Sequence, residues 1–497
     1  MLPPRRNTRY RLFEVIPGAV LWLTFIVGVI LSFVRPLWVV VFIICFSFYW
    51  LLRVIYFIVY LVVSWGQFRR DVVVDWHAKL QQERSTYRTI RHLIFLPTYR
   101  EPLEVLRNTF AGLLASAYPT DRFIVVLAGE ERADRATFLE RAQAIRQEFG
   151  AVMDIQVTVH PQDLPEEIPG KGSNLQYAGR QAVAYLDRLG IPHEDVIVSA
   201  FDVDTVVHPQ YIAALTWTFL HHPDRLHTSY QPIALYNNNM WESPAFMRVA
   251  AFGTTFWLLT ELARPDRLFT FSSHSMSLPA LIDAGYWEKD IVTEDSRIFL
   301  QCFIRYGGAY TVTPLFVPVS MYTAKAETLW RSMVNLYKQQ RRWAWGVEHF
   351  PYMLWHFTVG AGKRIVWRKK VKYLWNLGEG MYSWASAPII LFVFSRLPLA
   401  QLRGGAADTV LAQNAPFVLQ WLLGIAMVGI FASATLSLTL VPRRPIGAHP
   451  AASLLLIIQW LLLPVTLICF GAIPAIEAQT RLMLGRYLGF YVAEKKK

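Results

Sequence analysis

Apolar residues in this 497-residue chain are gathered into two blocks, 17–65 and 373–476, on either side of a long stretch of mixed composition. A helix that crosses a bilayer needs about 20 mostly apolar residues. The uncharged run 17–33 sits at the short end of that requirement and stops at Arg35-Pro36, while 37–65 carries a single charge, Arg53. The two runs are expected to form a helical hairpin with both ends in the cytoplasm. A cleavable leader fits poorly, because the second run follows too closely and no small-residue cleavage site stands out.

The second block offers three further candidates, 373–399, 416–441 and 452–476. Three crossings would leave the C-terminus outside, yet the tail carries Arg481, Arg486 and Lys495 to Lys497, which favours the cytoplasm. Either 452–476, interrupted at Pro464 and Pro474, is re-entrant or doubled, or another run lies in the interface. Arg53 and Glu379 are costly inside a bilayer. A polar channel lining suits Arg53, and snorkelling suits Glu379.

Composition supports this division. Only 17% of residues are charged and 54% are hydrophobic, against about 25% charged in a soluble chain. With 14% aromatics and three cysteines, the chain is neither disordered nor stapled by disulfides. Cys45, Cys302 and Cys469 read as buried packing residues. The net charge of +13 does not point to nucleic acid, since Arg5, Arg6, Arg9 and Arg11 precede the first run and Lys363 to Lys372 precede the third, as the positive-inside rule expects.

From His92 onward, strand-like runs (93–96, 123–127, 155–159, 196–201) alternate with helix-like segments starting at Glu101, Arg132 and Asn174. That order predicts an α/β domain over 66–350 with a mainly parallel, Rossmann-like sheet. Ligands of such sheets bind beyond the carboxyl ends of the strands. After 196–201 comes Asp202-Val203-Asp204, which either converges on a hard divalent cation or forms a solvated turn. Thr293-Glu294-Asp295 opens a helical pattern, so its carboxylates either favour the positive helix end or supply a general base. Gln339, Arg342 and Trp343 form Gln-x-x-Arg-Trp in a basic aromatic helix, which is also what an interfacial amphipathic helix looks like. His208 and His274 read as structural.

In order and spacing, these motifs resemble the family 2 inverting glycosyltransferases, above all the membrane-embedded synthases of cellulose, chitin and hyaluronan. Leu96-Pro97-Thr98-Tyr99-Arg100-Glu101 resembles the family's opening strand and turn, Gly170-Lys171-Gly172-Ser173-Asn174 its nucleotide contact, and Asp202-Val203-Asp204 its metal motif. Thr293-Glu294-Asp295 and Gln339 to Gly346 resemble its base and acceptor motifs. Phe490-Tyr491-Val492-Ala493-Glu494-Lys495 resembles the gating loop of cellulose synthase, with Ala where Thr is usual.

The resemblance implies a GT-A-like fold and a UDP- or GDP-sugar donor held by Pro97, Tyr99, Glu101, Glu130, Lys171, Asp202 and Arg342. It also implies Mg²⁺ or Mn²⁺ on Asp204 and Asp202, and catalysis by Asp295 with Glu294. Gln339 and Trp343 would meet the acceptor, a polysaccharide or a lipid, and Phe490, Val492 and Lys495 would gate the site. The chain would lie in the plasma (inner) membrane, with segments 1–16, 351–372 and 477–497 as basic flanks and 17–65 and 373–476 as membrane regions. A single-sugar lipid transferase and a catalytically silent subunit are the competing expectations. Two departures stand out: Ala128-Gly129-Glu130-Glu131 replaces the usual base-contacting Asp, and Phe271 to Met276 replaces the usual Gly- and Ser/Thr-rich acceptor loop.

Overall fold

A computed structural model describes residues 7–82, 86–442 and 452–489. Eight strands form one sheet: β1 (Arg91–Pro97), β2 (Phe123–Glu130), β3 (Asp154–His160), β4 (Val196–Ala200), β5 (Val206–Val207), β6 (Thr228–Leu235), β7 (Ser275–Ser277) and β8 (Thr311–Ser320), in the order β3-β2-β1-β4-β7-β6-β8-β5. The block β3-β2-β1-β4 is parallel, as the alternation of strands and helices predicts. β7 is antiparallel to both β4 and β6, β6 and β8 are parallel, and β5 is antiparallel to β8.

Every residue of β2, β4 and β6 is buried, as expected of strands covered by helices on both faces. β6 and β8 are harder to read in sequence because they carry Pro232, Pro314 and Pro318. The β6–β8 register shifts between Pro232 and Ile233, the kind of irregularity at which a strand accommodates a residue with no N–H.

Among the described residues, five helical stretches are long and apolar enough to cross a membrane: Thr8–Val34, Pro36–Asp71, Trp367–Ala400, Val410–Leu440 and Leu454–Met483. Their packing shows how each runs relative to the central domain. The first starts beside the central domain, where Tyr10 meets Trp355 edge-on at 5.9 Å, and the second returns to place Phe68 in one core with Leu93 and Phe95. The third leaves from Tyr373, packed on Phe269 and Phe299. Its Ile390 and Phe394 join Val39, Ile43 and Leu419 in a cluster at the far end. The fourth comes back, since the Trp241 indole donates to the Pro442 carbonyl at 3.3 Å.

The fifth stretch behaves differently. Arg248 donates to Gln459 at 2.7 Å, Phe470 stacks on Phe246 at 5.3 Å, and Trp22 donates to Thr480 at 2.9 Å. Arg11 donates to the Leu482 carbonyl at 2.7 Å, so the stretch ends level with the start of the first helix. No described residue of 454–483 joins the far cluster. The first four stretches therefore run alternately away from and back to the central domain, and the fifth begins and ends on the domain's side, as do both ends of the described chain. A 3₁₀ turn at Gln459–Leu462 and a π-helical turn at Leu467–Ala472 break it beside Pro464 and Pro474, residues that cannot continue α-helical hydrogen bonding.

Two expectations are corrected. Cys302 is buried, but Cys45 and Cys469 lie exposed on the membrane helices, where a thiol meets lipid as a small apolar group. Arg53 and Glu379 do not act separately: Arg53 Nη1 lies 3.2 Å from Glu379 Oε2, and the Tyr49 and Ser383 hydroxyls donate to Glu379 at 2.9 and 2.8 Å.

Candidate functional site

Two helix N-termini converge beside the end of β4. The helix Lys171–Arg188 begins at its lysine, after Gly170 at φ 159°, and the helix Glu294–Arg305 begins at its two carboxylates. Gly172 allows the close approach. A Cβ there would lie 2.7 Å from the Glu288 carbonyl and 3.3 Å from Glu294 Cβ.

At the junction, Lys171 Nζ donates to Asp202 Oδ1 at 2.8 Å and to Asp295 Oδ1 and Oδ2 at 2.8 and 3.1 Å, with Glu294 Oε1 at 3.6 Å. One ammonium thus faces three carboxylates, with the Lys171 side chain 7% exposed and that of Glu294 1%. Burial pulls the lysine pKa down. The charges of Asp202, Asp295 and Glu294 outweigh it, so the pKa lies above the ordinary value.

Glu294 is pushed up to about 8, first by burial and then by the charge of Asp295, against the opposing pull of Lys171 and Arg342. The folded state therefore holds a proton that the unfolded chain releases near the ordinary value of 4.5. Its stabilising contribution is full below that value and is lost as pH rises through about 8. Glu294→Gln should flatten this part of the stability profile. Thermal melts in detergent across pH 5–8 will show it, and parallel parent and variant curves would refute the assignment.

Asp204 is 1% exposed, and its Oδ2 accepts from the Tyr322 backbone N–H at 3.0 Å. Asp202 Oδ2 accepts from Ser272 at 2.7 Å, so the departing 271–276 segment reaches this cluster. Among the described residues no group of three His, Cys, Asp or Glu side chains is spaced to hold a metal. Two carboxylates with only oxygen donors still fit Mg²⁺ or Mn²⁺, because such ions are held by one or two carboxylates, with waters and substrate phosphates completing the shell.

Tyr236, just past β6, was not singled out in the sequence although it follows a strand end. Burial raises its pKa, with Asp202 and Asp204 adding to the effect and Arg342 opposing it, so it lies in the field of both motifs. Its ring is 6.0 Å from that of Trp343. Gln339 is half-buried and lies one turn before Arg342 and Trp343 on the helix Leu329–Ala344.

Behind the carboxylates runs a buried network that sequence reading also missed. Arg297 pairs with Glu288 at 2.7 Å and donates to His349 at 3.2 Å, His349 bonds Ser296 at 2.7 Å, and Thr293 donates to Glu348 at 2.7 Å. These contacts fix the Glu294–Arg305 helix to the segment that follows Trp343.

The remaining expected residues form a second group at the ends of β1 and β2. Pro97 closes β1, the Tyr99 N–H donates to Glu101 at 2.7 Å, and Glu130, 5% exposed, pairs with Arg132. Asn174 ties the groups together by donating to the Ala128 carbonyl at 2.6 Å. Phe490, Val492 and Lys495 lie outside the described residues.

A sequence model of the glycosyl transferase family group 2 matches residues 197–473. No curated protein matches. Among solved structures, a Pyrobaculum calidifontis mannosyltransferase in complex with GDP-Man and Mn²⁺ is similar at TM-score 0.43 and 14% identity, covering 76% of this chain and 99% of its own. S. aureus TarS (residues 1–349) in complex with UDP-GlcNAc is similar at TM-score 0.32 and 14% identity, covering 67% and 92%. The family match spans more than half of the chain and takes in the Asp-x-Asp, Thr-Glu-Asp and Gln-x-x-Arg-Trp segments, and the chain belongs to the family 2 glycosyltransferases, with a GT-A-like domain flanked by helices able to span a membrane.

Proposed function

We propose that the protein is an inverting transferase that moves a sugar from a UDP- or GDP-sugar to a membrane-associated acceptor, a growing polysaccharide. The observation that carries this reading is the convergence of Asp202, Glu294 and Asp295 on Lys171 at the sheet edge, beside the helix that bears Arg342 and Trp343. Asp295 accepts the proton of the acceptor hydroxyl as its oxygen attacks the anomeric carbon. The bond from that carbon to the donor's phosphate oxygen breaks, and nucleoside diphosphate leaves from the opposite face. Lys171 and Arg342 bind the diphosphate, the latter with a planar fork of donors that lysine does not reproduce. Trp343 offers a flat apolar face to the acceptor, with Gln339 beside it. Asp204 and Asp202 would hold Mg²⁺ or Mn²⁺, which when bound neutralises charge on the leaving diphosphate.

In this reading the domain faces the cytoplasm from a plasma membrane crossed four times, which the basic flanks support. Four crossings among whose described residues the Arg53–Glu379 ion pair is satisfied internally favour a second reading, transfer of a single sugar to a lipid. Purified protein with Mn²⁺ and a panel of UDP- and GDP-sugars tests the proposal through nucleoside diphosphate release and product sizing. A polymer supports the first reading and a monoglycosylated lipid the second. Asp204→Ala should lose the Mn²⁺ dependence of donor binding, and unchanged affinity with and without Mn²⁺ would remove the metal assignment.

A further inference from the structure

Thr293 stands at the N-cap of the helix Glu294–Arg305, the place where a threonine ordinarily accepts a hydrogen bond from the first helical turn. Its side chain makes no such bond. The hydroxyl donates instead to Glu348 Oε1 at 2.7 Å. On the other side of Asp295, the Ser296 hydroxyl meets His349 Nε2 at 2.7 Å, and Arg297 Nε donates to His349 Nδ1 at 3.2 Å. Glu348 and His349 are both buried, and both belong to the run that bears Arg342 and Trp343. There the helix Leu329–Ala344 tightens into a 3₁₀ turn, Trp345–Glu348, and continues as the helix His349–Thr358. Two adjacent side chains thus grip the residues on either side of Glu294-Asp295.

Geometry assigns the protons in this bracket. A guanidinium only donates, so His349 Nδ1 is the acceptor and the neutral ring carries its proton on Nε2. That N–H donates to Ser296 Oγ, whose own proton points to the Thr293 carbonyl at 3.3 Å. Arg297 is fixed in turn by Glu288 at 2.7 Å and by the Tyr352 ring, whose centre lies 3.7 Å from its guanidinium carbon. Thr270 holds the Asp295 backbone from another direction, donating to its carbonyl at 2.6 Å. The chain that carries Asp295 therefore shares one frame with Arg342 and Trp343.

Resting on the base assignment above, we propose that Glu348 and His349 are positioning residues for the transfer, acting through Thr293, Ser296 and Arg297 to hold the Asp295 carboxylate within reach of the acceptor hydroxyl. A general base must lie about 2.6–3.2 Å from the oxygen it deprotonates, and a displacement of about 1 Å costs about 10²-fold in rate. Lys171 cannot supply that precision alone, because the diphosphate competes with Asp295 for the same ammonium. The bracket holds the base from the side that the donor does not touch. It also explains why Thr293 gives up its cap: the hydroxyl ties the base to the frame of the acceptor face.

The test uses the full chain in detergent with Mn²⁺, reading nucleoside diphosphate release from the UDP- and GDP-sugar panel and, on the same preparation, donor affinity and stoichiometry by calorimetric titration. Thr293→Val should lower turnover about tenfold to a hundredfold with donor affinity and stoichiometry unchanged, while Thr293→Ser, which keeps the hydroxyl, stays near the parent. Glu348→Met should lose as much, and Glu348→Gln, whose amide oxygen still accepts, should recover most of it. Combining Thr293→Val with Glu348→Met should cost no more than either alone, because both break one bond. His349→Phe, which keeps a ring without nitrogens, should also lower turnover at unchanged donor binding. Parental turnover in Thr293→Val, equal losses in Thr293→Ser and Thr293→Val, or additive losses in the double variant overturn the role of Glu348, and parental turnover in His349→Phe overturns that of His349. Losses that track a falling stoichiometry of donor binding show a merely structural role and overturn both. These outcomes leave the base assignment standing if Asp295→Asn is inactive; near-parental turnover in Asp295→Asn removes the base and this inference with it. Absence of turnover in the parent with every donor overturns the transferase reading and all that rests on it.

Discussion

Asp295→Asn is expected to lower turnover by about 10²–10⁴-fold, the range a positioned general base contributes, while donor affinity changes little. The amide cannot take up the acceptor proton, and it keeps nearly the volume of the carboxylate. Both Asp295 oxygens lie within 3.1 Å of Lys171 Nζ, so the side chain is held in place from one side. The rival role, stabilising the positive end of the Glu294–Arg305 helix, is worth about 0.3–1 kcal/mol and would appear as a small loss of stability at unchanged rate. Steady-state turnover and donor affinity measured on the same preparation separate the two. Near-parental turnover removes Asp295 as the base.

The parallel half of the sheet was legible in sequence because β1, β2 and β4 are short apolar runs buried almost throughout and β3, at the sheet's edge, is a half-buried one, all separated by helix-length segments. The charged motifs were legible because they follow strand ends or open helices, where charged residues stand out against the apolar runs of the core. β6 and β8 were hidden by their prolines. The contact of Lys171 with Asp295 spans 124 residues, and nothing local encodes which cation will sit between two distant carboxylates. Arg297 and His349 were silent for the same reason: each is an ordinary helix residue until folding buries both. For 452–476 the prolines signalled interruption, but its return to the starting side follows only from contacts with Arg248, Phe246 and Arg11.

Lys171→Met is expected to be the most damaging substitution to the folded state. Removing one partner of a buried ion pair typically costs about 3–5 kcal/mol, because the remaining charge is left uncompensated. Here one ammonium lies against Asp202, Asp295 and Glu294, so without it Asp202 and Asp295 would face each other, joined as pH rises through about 8 by the charge of the fully buried Glu294, while Asp202 keeps a 30% exposed side chain. Methionine fills much of the lysine volume, which confines the loss to charge and hydrogen bonding. The repulsion should raise proton uptake, making the variant markedly more stable at pH 5 than at pH 8, a steeper dependence than in the parent. Adding Glu294→Gln should recover part of the loss, since the two residues interact directly and their effects are then not additive. Chemical denaturation of the two single variants and the double variant at both pH values measures that coupling. Additive losses would show that Lys171 and Glu294 act independently, and the carboxylate cluster would then lose its standing as one electrostatic unit.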